Sequence, residues 1–310
     1  MKRFVKRFSL FLIPFIVAFV FIELFIRYYP DTFNTKAVYI KEHKDVELLI
    51  FGSSHNQNAI NPAQLNIKAA NLAYGGQDLR FDSALFFKYV NELKNLKYVI
   101  LELDYHTLEQ KRPKSYFRQP WYYIYHGINK NRISFINKIS LYSSSPDFFR
   151  YNIIRKFTPS SPKYVINKYG FVTYQEGKTE FEALNYDEEK IMSTSVLRLK
   201  NRHTRQSIAN YKYNTKIVNN LIAYCDKNNI EVILVSTPLY KSYLSAKIHK
   251  KDLRKIKYID SLLLANKKLH YYNFEKDKRF LVTDFKNDDH LNISGAKKFT
   301  EILNQKLDSL

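Results

Sequence analysis

Three short segments of this chain carry side chains able to do acyl chemistry. Phe51-Gly52-Ser53-Ser54-His55 closes an apolar run that begins at Val46, and it offers Ser54 as a nucleophile. Asp288-Asp289-His290-Leu291-Asn292 precedes the last amphipathic stretch and offers His290 as a general base with carboxylates beside it. Asn71-Leu72-Ala73-Tyr74-Gly75-Gly76 supplies glycines, whose backbone N–H groups can approach an oxyanion with no side chain in the way. Singly, each segment also reads as ordinary structure: a serine-rich cap, a glycine turn, an acidic lead-in to a helix. Together they supply a nucleophile, a base and oxyanion donors.

These segments need elements that bring them to one place. Short apolar runs alternate with longer amphipathic ones, the pattern of a parallel sheet covered by helices. Strands are predicted at Val46 to Phe51, near Ala69 to Leu72, at Tyr98 to Leu103, at Glu231 to Val235 and at His270 to Phe274. Helical spacing runs over Asp78 to Leu93, Ser207 to Asp226, Leu253 to Ala265 and Ser294 to Leu307. Five strands with interleaved helices suggest a flavodoxin-like, three-layer α/β/α domain. In such a sheet ligands bind beyond the carboxyl ends of the strands, where Ser54 would sit.

The chain has 310 residues, 45% of them hydrophobic, and a formal charge of +21, which favours anionic partners or a lysine-rich solvated surface. Lys2, Arg3, Lys6 and Arg7 precede an apolar run from Phe8 to Ile26, near the roughly 20 residues that cross a bilayer. Glu23 falls at its far end, within reach of headgroups, and Tyr28 and Tyr29 mark an interface. The run is long for a cleaved signal, and no small-x-small site follows it. Residues 1–29 are therefore expected to be a cytoplasmic stub and signal anchor, 30–45 a tether, and 46–310 an outward-facing domain. That placement sets nucleic acid aside as a partner. One cysteine, Cys225, forms no internal disulfide and no Cys-rich zinc site.

The strand pattern breaks over an insert at about 105–205. From Lys111 to Lys168 it holds a dozen Lys and Arg against one acid, Asp147, with Tyr116, Phe117, Trp121, Tyr122, Tyr123, Tyr125, Phe148 and Phe149 interleaved. Aromatic faces beside cations suit a sugar polymer bearing anions, and Arg118, Trp121, Arg132 and Arg155 are candidate contacts. The competing reading is a small core of the insert's own.

The three segments together resemble the SGNH (GDSL-type) hydrolase superfamily, over the first and last thirds of the chain. The family's Gly-Asp-Ser appears as Gly52-Ser53-Ser54, its oxyanion glycine is matched by Gly76 or, second, Gly75, and its Asp-x-x-His ends at His290. Asn287 stands where the family's acid would be, so the orienting acid falls to Asp288, with Asp289, Asp284 and Asn287 as alternatives. Where the family has an oxyanion asparagine this chain has Asp104, which leaves the Ser54 and Gly76 amides as donors. The Gly-Ser-Ser turn and His-Leu-Asn are also similar to a membrane-anchored branch serving cell-envelope polymers, including the teichoic acid alanylation protein and alginate acetyltransferases. The resemblance implies a serine esterase or O-acyltransferase acting on an exported polysaccharide, with a membrane-bound acyl donor protein as partner. A non-catalytic polymer-binding protein of the same fold is the alternative.

Eight histidines lie scattered with no His-Glu-x-x-His pair, and Gly75-Gly76 lacks a phosphate-loop lysine. No metal and no nucleotide cofactor is expected. His55 and His106 are further candidates for lining the pocket.

Overall fold

The computed structural model describes residues 1–130, 133–143, 146–147, 150, 164–175, 177–202 and 207–310. Its strands, in chain order, are β1 (Leu48–Phe51), β2 (Ala69–Asn71), β3 (Tyr98–Glu102), β4 (Tyr164–Ile166), β5 (Val172–Gln175), β6 (Glu231–Ser236), β7 (Leu269–Asn273), β8 (Phe285–Asn287) and β9 (His290–Leu291). Five of them pair in parallel in the order β2-β1-β3-β6-β7. The other four form two small antiparallel hairpins, β4-β5 and β8-β9.

Alternation along the strands builds a core on each side of the sheet. Leu49, Phe51, Val99, Leu101, Val232 and Leu234 face one apolar cluster. Leu48, Ile50, Ile100, Ile233 and Val235 face the other. The first cluster is covered by helices α2 (Thr32–Glu42) and α4 (Leu79–Tyr89) and by the helix Ile208–Lys227; the second is covered by the helix Ile293–Leu307. The result is the three-layer α/β/α arrangement.

The N-terminal helix α1 (Lys2–Tyr28) is long and apolar enough to cross a membrane, with a mean hydropathy of 2.6 over its best window, only 11% of which is buried. Its last turns enter the domain instead of ending at headgroups. Ile26 is buried, and the carboxylate of Glu23 accepts from Leu141 N, Tyr142 N and Ser140 Oγ and pairs with Arg27. The expected tether is also a packed element. Asp31 caps α2 through Asn34 N, and Phe33, Ala37 and Ile40 recur at helical spacing on its buried face.

Two further helices follow β3: α5 (Tyr105–Glu109) and α6 (Gln119–His126). The aromatics of α6 do not form a sugar-facing platform or a separate core. Trp121, Tyr122 and Tyr125 join the first apolar cluster, and Tyr122 stacks on Phe81 while Phe33 stacks on Tyr74. Trp121 is thus core, whereas Phe117 stays exposed beneath the Arg118 guanidinium. Arg132, Arg155, Phe148 and Phe149 lie outside the described residues.

Candidate active site

The sheet order reverses between β1 and β3, and the crevice beyond their carboxyl ends is where an open α/β sheet binds ligands. β1 ends in Gly52, which has φ +140, and a Cβ there would fall 2.5 Å from Glu102 Cβ. Only glycine lets the chain turn this close to β3. The turn is pinned by Asp82, which accepts from Gly52 N at 2.9 Å. Glu102 Oε2 accepts from Ser53 N at 2.6 Å, and Glu102 Oε1 accepts from Ser53 Oγ at 2.7 Å. Helix α3 (Ser54–Ala59) starts at once, so Ser54 occupies its first turn, where backbone N–H groups have no intrahelical partner.

On the other side of the crevice the β8-β9 hairpin presents His290. Its Nε2 lies 2.7 Å from Ser54 Oγ. Its Nδ1 lies 2.8 Å from Asp289 Oδ1 and 3.0 Å from Asn287 Oδ1. Asp288 does not face the imidazole. It is fully buried on the opposite side of the turn, where its carboxylate accepts from Ser195 Oγ and Ser242 Oγ. Asp284 also turns away, to Lys298 and Leu281 N. Successive residues at a hairpin turn point to different sides, and the sequence alone does not say which of two neighbouring aspartates is turned inward.

Residues 72–76 run on from β2 alongside the Ser54 turn. Leu72 N donates to Ile50 O and Tyr74 N to Gly52 O, which extends the sheet pairing past the strand ends. Gly75 comes against Gln57 of α3, and Gly76 has φ +73. The insert holds the carbonyls of this loop: Arg118 and Tyr116 donate to Gly75 O, and Arg112 Nε donates to Gly76 O at 2.6 Å. Arg118 is therefore engaged with the loop backbone.

Asp104, at the position of the family's asparagine, is turned into its own helix. Its Oδ1 accepts from Tyr105 N at 2.5 Å and its Oδ2 lies 3.0 Å from His106 Nδ1. Both oxygens are thus engaged by residues of α5.

Behind Ser54 lies a group that the motifs did not announce. His55 is buried, with Nδ1 3.6 Å from Glu102 Oε1 and Nε2 3.5 Å from Asp289 Oδ2; His106 Nε2 is also 3.6 Å from Glu102 Oε1. Burial works against the Glu102 carboxylate, but the nearby His55, His106 and Ser53 outweigh it and hold the group down to about 2. Burial likewise opposes ionisation of Asp289, which His290 and His55 overcome, keeping it well below the usual carboxylate range. Asp104 is lowered in the same way by His106, and burial of His106 is outweighed by Asp104 and Glu102, which push it up to about 10. Glu102 was the residue sequence reasoning missed; the signal was its alternation with Asp104 and His106 at the end of a buried strand.

The parallel order β2-β1-β3-β6-β7, a serine at the end of the first strand and a histidine before the last helix combine into one architecture. The fold is a three-layer α/β/α arrangement around a five-strand parallel sheet, and it brings together the two segments on which the resemblance to SGNH hydrolases was read. Among solved structures the chain is similar to a GDSL-like lipase from Bacteroides thetaiotaomicron VPI-5482, at 10% identity and a TM-score of 0.41 over 90% of this chain and 99% of that one. It is also similar to a Streptococcus pneumonia protein whose name refers to platelet activating factor, at 11% identity and a TM-score of 0.40 over 88% and 91%. No family model and no curated protein matches the sequence.

Proposed function

We propose that this chain is a membrane-anchored serine esterase or O-acyltransferase acting on an acyl ester of an exported cell-envelope polysaccharide. The observation that carries the reading is the contact of Ser54 Oγ with His290 Nε2 at 2.7 Å, with Asp289 Oδ1 2.8 Å behind the ring. His290 takes the Ser54 proton as the oxygen attacks an acyl carbonyl. Asp289 fixes the imidazole tautomer and stabilises the imidazolium. The amides of Ser54 and of Gly76 or Gly75 receive the oxyanion; His290 then protonates the departing alkoxide, and water or a sugar hydroxyl takes the acyl group.

A polymeric, anionic substrate is supported by the surface beside the loop. A depression of about 430 Å³ is lined by Arg80, Lys111, Arg112, Lys114 and Lys130 with no acidic residue in its lining, and Arg112 is also the residue that holds Gly76 O. A second cleft of about 260 Å³ borders the His290 hairpin at Leu291 and Asn292. The membrane-bound acyl donor protein remains part of the proposal, and α1 would keep the site near such a donor, with the four N-terminal basic residues on the cytoplasmic side.

The test is labelling by a fluorophosphonate probe. Full-length protein in detergent is the right material, because deletion to residue 29 strips Glu23 and Ile26 from the domain. Wild type should label, and Ser54→Ala and His290→Ala should both lose labelling. A folded wild-type protein that does not label would instead favour the polymer-binding reading, which the engagement of Asp104 by its own helix motivates.

A further inference from the structure

The two 3.6 Å separations around Glu102 are too long for hydrogen bonds, yet they are regular. Two imidazole nitrogens, His55 Nδ1 and His106 Nε2, stand at the same distance from one carboxylate oxygen, Glu102 Oε1. Four-coordinate zinc with ligands at about 2.1 Å has ligand–ligand edges of roughly 3.4 Å. One donor atom from each of His55, Glu102 and His106 lies within 4.8 Å of the others, a spacing that a single ion can bridge.

The atoms behind these donors are arranged as metal ligands require. His106 turns its other nitrogen, Nδ1, to Asp104 Oδ2 at 3.0 Å, the carboxylate–histidine pairing that orients an imidazole toward a metal. Glu102 Oε2 is fixed by Ser53 N, and Oε1, which also accepts from Ser53 Oγ at 2.7 Å, is the oxygen nearest both rings. The group is reached from outside through His106, whose side chain is 16% exposed beside nearly covered His55 and Glu102. Glu102, Asp104 and Asp289 also concentrate negative charge in a buried place, where a divalent cation is favoured.

We propose that His55, Glu102 and His106 form a binding site for a divalent first-row transition metal, with zinc the best match to two imidazoles and one carboxylate. The ion joins the residue after the candidate nucleophile to the end of β3, and three protein ligands leave one coordination position for water. It lies beyond the serine chemistry proposed above and does not depend on it.

Full-length protein in detergent, stripped with chelator, is titrated with Zn²⁺ and separately with Co²⁺. One equivalent per chain should bind, with the visible absorption of four-coordinate Co²⁺. His106→Ala should abolish uptake, and Asp104→Asn, which keeps the side-chain shape, should weaken affinity about 10–100-fold. Near-ultraviolet circular dichroism of the metal-free proteins identifies any variant that has failed to fold, and the milder Asp104→Asn then carries the comparison. Two results overturn the proposal. One is no stoichiometric uptake by folded wild type, which leaves protons as the only cations in the cluster. The other is uptake that survives His106→Ala and is lost in His290→Ala, which moves the ion to His55, Asp289 and His290.

Discussion

Two oxygens compete for the Nδ1 proton of His290, one charged on Asp289 and one neutral on Asn287, at 2.8 and 3.0 Å. Only the charged one can stabilise an imidazolium, so Asp289→Asn should slow fluorophosphonate labelling by up to about 10⁴-fold, the cost in kcat of the corresponding change in a serine protease. Asn287→Ala should cost far less, and the reverse ranking would transfer the orienting role to Asn287. Asp288→Ala belongs to a different class. It removes the acceptor of two buried serine hydroxyls, so it should lower stability by roughly 1–3 kcal/mol while the folded protein labels at close to the wild-type rate. Comparing urea midpoints with labelling rates separates the two aspartates.

Turns and short helices decide where those residues stand. Gly52→Ala would set a Cβ against Glu102 at φ +140, and strain at such a position costs about 1–3 kcal/mol before the clash is counted. The expected outcome is a lower urea midpoint at unchanged slope, with labelling weakened because Ser54 begins the next helix. Strands β1, β3 and β6 were legible because each is a short run rich in branched apolar residues, β2 and β7 through their place in the strand–helix alternation, and the long helices because their apolar residues recur at helical spacing. Helices α3 and α5 were not, since five or six residues give no measurable period. Ser54 and His290 were legible as local motifs. The cluster of Glu102, His55 and His106 was not, because its members come from two segments joined only by the parallel pairing of β1 with β3. The burial of Trp121 and Tyr122 depends on Phe33, Tyr74 and Phe81, which are 40 or more residues away in sequence.

At the scale of the whole molecule, His126 joins three parts of the first core. Its ring lies between Tyr74 Oη at 2.9 Å and Tyr89 Oη at 2.8 Å, and burial, followed by the charges of Lys41, Lys36 and Lys88, pushes its pKa down to about 3. An unfolded histidine titrates near 6.5, so between about pH 3 and 6.5 the unfolded chain binds the extra proton. The stability this group contributes is complete above pH 6.5 and is lost as the pH falls toward 3. His126→Gln, which can still bond a tyrosine and cannot titrate, should flatten that part of the stability–pH curve by an amount on the order of a few kcal/mol, measured by urea unfolding at pH 4.5 and 7. The N-terminal helix acts at the same scale. Three residues separate α1 from α2, Glu23 grips residues 140–142, and Tyr125 Oη donates to Arg27 O, so the helix and the domain turn together. With α1 in a bilayer, the domain cannot swing out to meet a distant chain. On the proposed function, Ser54 would then work at one fixed height above the lipid, and a polymer substrate would be modified only along the stretch that passes through that plane.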